Sequence, residues 1–263
     1  MEINMSNYTR FENRESNLFL SLISGEWRKP YFSNLSCYCL WHKLHHLKWW
    51  TDNSNDTNHP PDFYANRYKL MMDVMQVSEY AITEVHGKKV RRINPVIQDE
   101  VAAIQQRAKN GDFPPEGCDV IMVTQQFHPH NYQMWLDDFR RVVQYHNTQI
   151  PKYQRNHPGH KTILYVYDDT AAHIVSDRVL SDSERCYKQH VVGKRHCWWR
   201  DSNFLNIIYS LDADYVVWYR PNCLTEYSQY NLAVFDLSKR KPQCIKYDID
   251  KVYSVEAECQ KVV

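Results

Sequence analysis

The chain predicts an α+β protein whose mixed sheet is built on a central strand–helix–strand unit, preceded by a mainly helical N-terminal region. Three observations carry this. Residues 119–124 and 162–167 are short apolar runs, partly β-branched, as expected of strands buried on both faces. Between them Trp135, Phe139, Val142 and Val143 recur at i, i+4, i+7 and i+8, one stripe of a helix over about 132–147. Beyond Thr170 short strand-like runs alternate with a single helical pattern.

In chain order, Leu18, Leu22 and Ile23 mark a first short helix, and Leu40, Trp41, Leu44 and Leu47 a second over 36–50. The second also carries Cys37, Cys39, His42, His45 and His46. His42 and His46 have a zinc-compatible i, i+4 spacing, but no second ligand pair closes a site, so they read as a polar helix face. Residues 51–61 are a loop. Tyr64, Tyr68, Met71 and Met75 predict a third helix, with the methionines as core filler. Runs over 80–85 and 90–93 flank His86-Gly87-Lys88-Lys89 and predict a β-hairpin with a basic tip. Asn94, Pro95 and Asn110-Gly111 bound a helix with Ile97, Val101, Ile104 and Ala108 inward. A boundary at residue 111 divides the chain into 1–111 and an α+β part, 112–263.

In the second part Asn131 can cap the long helix, and a polar connection holding Pro151 and Pro158-Gly159 leads into the strand over 162–167. Strands follow over 173–175 and 186–192. Ser202 can cap a helix over 203–211, and strands are expected over 214–219 and 232–237.

Composition narrows the function. Lys plus Arg number 32 against 31 Asp plus Glu, with no basic arm, so a nucleic-acid partner has to be held by a local groove. Eight cysteines are too sparse for a disulfide framework, and no stretch has signal-peptide form or spans a membrane. A cytoplasmic protein with reduced thiols and no membrane partner is expected. Six glycines form neither a P-loop nor a Gly-x-Gly-x-x-Gly turn, which excludes the two commonest phosphate cradles.

Candidate chemistry gathers at one edge. Strands joined through a helix within one sheet run parallel, so their carboxyl ends emerge together, where such sheets bind ligands. The first strand brings His128 and His130 there, the second Asp168 and Asp169. Two imidazoles and two carboxylates suit a divalent metal, manganese, magnesium or zinc, and equally an acid–base pair. A parallel strand over 214–219 would add Arg220, able to hold a phosphate or carboxylate.

The order strand, long helix, strand, hairpin, helix, strand over 118–241 resembles the RRM-like nuclease domain of rolling-circle replication proteins of filamentous phages. In that family a His–hydrophobic–His motif binds the metal and a helix tyrosine attacks DNA. The nearest motif here is His128-Pro129-His130, with proline in the middle and after the first strand. The resemblance implies a nucleic-acid-processing, metal-dependent endonuclease or replication protein of a mobile element, with DNA or RNA as partner. It offers Tyr187, in Tyr187-Lys188-Gln189-His190, and Tyr209 as nucleophile positions. The stretch Leu211-Asp212-Ala213-Asp214-Tyr215-Val216-Val217-Trp218 is similar instead to the metal-site strand of nucleotide-sugar glycosyltransferases, whose Asp-x-Asp falls here at Arg220-Pro221-Asn222. A third reading is a non-catalytic adaptor with an aromatic protein-binding surface.

Overall fold

The computed structural model describes residues 14–24, 29–55, 60–77, 82–85, 88–92, 132–170, 172–180, 186–187, 190–191, 193–223 and 229–254. Its centre is three parallel strands, β4 (Leu70–Val77), β7 (Lys161–Asp168) and β12 (Tyr215–Tyr219), with β7 in the middle. On one side β13 (Leu232–Asp236) runs antiparallel to β12, and β1 (Pro30–Phe32) pairs parallel with β13. On the other, β3 (Phe63–Ala65) is antiparallel to β4 and β2 (Thr51–Asp52) closes the sheet. The result is a mixed seven-stranded sheet in the order β1-β13-β12-β7-β4-β3-β2, within the α+β class that the sequence predicts. Segments from both sides of residue 111 share it, since β4 lies along β7 over its whole length.

Alternation along the strands divides the interior into two cores. Met72, Ile163, Val217 and Val234 face a layer made by α1 (Arg14–Ser24) and α2 (Leu35–Leu44), which contribute Phe19, Leu22, Leu40 and Leu44. Met71, Leu164, Trp218 and Phe235 face α3 (Tyr132–Asn156) and α4 (Ser202–Ile208), which contribute Trp135, Phe139 and Phe204. Burial on both faces explains why 162–167 is almost unbroken apolar sequence. A smaller antiparallel sheet of β11 (Lys194–Arg195), β8 (His173–Val175) and β14 (Val252–Ser254) lies beside the main one. Two hairpins, β5 (Ile82–Val85) with β6 (Lys88–Arg92) and β9 (Cys186–Tyr187) with β10 (His190–Val191), complete the described strands. The first confirms the expected hairpin, and the second replaces the single strand expected over 186–192. No described helix is long and apolar enough to cross a membrane.

Three expectations are corrected. The helix expected through Tyr64, Tyr68, Met71 and Met75 is instead β3, a short turn and β4; Lys69, at φ 48°, takes the left-handed conformation just before β4. A spacing of four is even, so Met71 and Met75 share one face of a strand as they would of a helix. With both faces buried, no polar alternation betrays the strand. The long helix does not stop near Asn147 but continues through Pro151 to Asn156. Proline in a helix interior costs about 3 kcal/mol. Ile150 and Tyr153, both buried, extend the sheet-facing stripe and offset it at about 1.5–3 kcal/mol for each large apolar side chain buried. Finally, α4 is capped by Asp201, whose Oδ1 accepts the Asn203 N–H at 2.8 Å, rather than by Ser202. The helix expected over 94–110, the strand over 119–124 and the cap Asn131 lie outside the described residues.

Candidate functional site

The carboxyl ends of β4, β7 and β12 meet at one edge, as parallel pairing requires, and Asp168 and Arg220 meet there. Both are completely buried. Arg220 Nε lies 3.3 Å from Asp168 Oδ2, which also accepts the indole N–H groups of Trp135 at 3.0 Å and Trp218 at 2.8 Å. Asp168 Oδ1 accepts the Thr170 N–H at 3.1 Å and hydroxyl at 2.6 Å. The guanidinium lies over the Trp135 ring, 4.2 Å from its centroid, and donates to Thr170 Oγ1 at 2.6 Å. Four hydrogen-bond donors and the Arg220 guanidinium thus surround this carboxylate. The pair is an internal tie between strands, and Arg220 holds Asp168 instead of a ligand phosphate.

Of the remaining predicted site residues, the structure describes the side chains of Asp169 and Tyr209. Asp169 is half-buried, with Oδ2 accepting Gln76 Nε2 at 2.7 Å. Tyr209 follows α4 and packs against Phe235 near the opposite edge of the sheet. Burial first, and then the Cys37 thiol, push its phenol above the ordinary range, the reverse of what a nucleophile needs. Tyr187 pairs through β9 with His190. His128 and His130 lie outside the described residues. Among the described residues no three His, Cys, Asp or Glu side chains converge as a metal site. A second buried node, Tyr132 and His196 on Asp201 Oδ2 at 2.5 and 2.8 Å, lies beside Trp135. Burial, the largest influence on His196, lowers its pKa and keeps the ring neutral.

A different set of groups lines accessible space. β3 pairs with β4 only as far as Met72, and among the described residues no strand pairs with the carboxyl half of β4 on that side. There Asp62 Oδ2 accepts the Val74 N–H at 2.8 Å. Asp73 faces the α3 layer from the middle of an apolar strand and is 4% exposed. A carboxylate so placed requires partners, and α3 supplies two from one face, seven residues apart. Tyr153 donates its hydroxyl to Asp73 Oδ2 at 2.7 Å, and His146 Nδ1 lies 2.5 Å from the same oxygen. Burial, followed by Asp73, holds Tyr153 far above the usual phenol range, so it stays a donor. Burial and then the Asp73 charge push Asp62 up to about 8. At neutral pH Asp62 therefore carries the proton.

His146 is 23% exposed and borders a cavity of about 300 Å³, together with Arg14, Glu15, Gln76, Arg141 and Tyr145. With Nδ1 donating to Asp73, Nε2 is the ring nitrogen left to act as a base. Arg14 donates to Gln76, which in turn donates to Asp169, so the cavity adjoins the expected edge. Asp62, Asp73, His146 and Tyr153 were missed in the sequence because a helix reading hid the strand. The available signal was one aspartate inside Leu70-Met71-Met72-Asp73-Val74-Met75. No family model matches the chain, and no curated protein or solved structure matches it significantly.

Proposed function

We propose that this chain is a nucleic-acid-processing enzyme that cleaves phosphodiesters by general acid–base catalysis beside the carboxyl half of β4. The observation that supports this reading is the His146–Asp73 contact of 2.5 Å at the wall of a cavity that also holds Arg14 and Arg141. A carboxylate on Nδ1 fixes the imidazole tautomer and stabilises the imidazolium formed when Nε2 takes a proton. In the proposed step Nε2 removes the proton of the attacking hydroxyl or water as the new P–O bond forms. The leaving oxygen departs with a proton returned from the imidazolium or from water. The two arginines offset the charge gathering on the phosphoryl oxygens.

The test uses labelled single-stranded RNA and DNA, with a sugar nucleotide as comparison, in the presence of a chelator. Cleavage of a strand is expected to persist, and His146→Ala is expected to lower it about 100-fold or more, the usual contribution of a positioned acid–base group. Asp73→Asn should lower it by a similar order. Activity abolished by the chelator would favour a metal-dependent mechanism instead. Full activity in His146→Ala, or turnover of the sugar nucleotide alone, would overturn the reading.

A further inference from the structure

We propose that the outer face of α2, with the neighbouring turn over 66–69, is a binding surface for single-stranded nucleic acid. The inner stripe of α2, Cys37, Leu40 and Leu44, is spent on the core. The outward stripe is Tyr38, His42 and His45, at i, i+4 and i+7, with Trp41 half-buried at its flank against the core. They brace one another: Tyr38 against His42 at 4.4 Å and Trp41 against His45 at 4.3 Å, both edge-to-face. Phe32 supports Tyr38 from below at 5.6 Å. Tyr38 nevertheless remains 47% exposed. Rings held in place while still open to solvent are platforms on which a base can stack.

Charge points to the same occupant. Residues 35–50 and 63–72 contain no aspartate or glutamate, in a chain whose acidic and basic residues otherwise balance. Lys43, Lys48, Arg67 and Lys69 all fall within these two segments. The segments adjoin: Arg67 lies over the Trp49 ring at 4.1 Å, Lys48 over the same ring at 5.1 Å, and Lys43 over Tyr68 at 5.8 Å. Cations interleaved with aromatic rings match a polyanion that carries flat apolar faces. A duplex keeps its bases stacked away from such rings, so the complementary form is a single strand. The proposal deepens the nucleic-acid reading above, but it is tested by binding alone. Failure to cleave leaves it standing, and cleavage without binding at this face refutes it.

The experiment is fluorescence anisotropy of the full chain with labelled oligo(dT) and oligo(U) of about twelve nucleotides, a length within the usual span of a stacking site. Salt is varied from about 50 to about 200 mM, where counterion release governs affinity. Binding is expected, weakening as salt rises. Lys48→Ala with Arg67→Ala should flatten the log–log salt slope by about 1.4, because each phosphate neutralised on a single strand contributes about 0.7. Tyr38→Ala should weaken binding about tenfold with the slope unchanged, because stacking releases no counterions. All three side chains lie at the surface, and unaltered circular dichroism of the variants confirms that they fold. Absence of binding at low salt would overturn the proposal. So would equal affinity for a blunt duplex, indifference to the Lys48/Arg67 change, or capture by phosphatidylserine vesicles but not by strands.

Discussion

Replacing Asp62 by asparagine should stabilise the protein at neutral pH, with a gain that depends on pH in a specified direction. Burial and the neighbouring Asp73 raise the Asp62 carboxyl from an ordinary 3.8 to about 8. Between these values the folded state holds a proton that the unfolded state has released. Stability therefore falls as pH rises, by about 1.4 kcal/mol per unit for one group. The loss begins near pH 4 and levels off above about 8. From about pH 5 to pH 7 this carboxyl alone removes about 3 kcal/mol. Asparagine keeps the oxygen that accepts the Val74 N–H and offers an amide hydrogen to Asp73, yet has no proton to lose. The advantage of Asp62→Asn over wild type should grow from near zero at about pH 4 to about 4 kcal/mol at pH 7. Urea unfolding of both proteins across this range, followed by tryptophan fluorescence, measures the difference and cancels the other titrating groups. A difference that is flat with pH, or that shrinks as pH rises, would refute the proton-sharing arrangement of Asp62 and Asp73.

Two further substitutions probe the scaffold. Arg220→Met leaves the Asp168 carboxylate buried with only neutral donors, and a loss of about 3–5 kcal/mol is expected in urea unfolding, partly recovered in the Asp168→Asn/Arg220→Met double variant. A cost below about 1 kcal/mol would show that the ion pair does not tie β7 to β12. Phe139→Ala removes a fully buried ring packed 4.6 Å from Trp218 and 5.0 Å from Phe204. It should cost about 3–5 kcal/mol, and a wild-type midpoint of unfolding would contradict the packing of α3 on the sheet.

Much of the framework is legible locally. The runs that become β7, β12 and β13 are apolar through their centres, because both faces are covered. The stripes of α2 and α3 are legible because each helix buries only one side. The basic residues of α2 and of the turn after β3 are also plain in the chain. Their union is not, since it depends on Arg67 reaching the Trp49 ring across a fold.

Tertiary structure decided the rest, wherever the state of a group depends on what lies opposite. Even spacing could not separate strand from helix at Met71 and Met75 until β4 lay beside β7. Pro151 ends a helix by local rules, and only the burial of Ile150 and Tyr153 carries α3 past it. The sequence placed Asp168 and Arg220 at a shared edge, as parallel pairing dictates. It could not say that they would neutralise each other under Trp135 and Trp218. Asp73 and His146 are 73 positions apart. Their pairing, and the proton left on Asp62, arise because folding removes water from one carboxylate and sets a helix against the other. Electrostatics of that kind is a property of the assembled interior, and no local pattern encodes it.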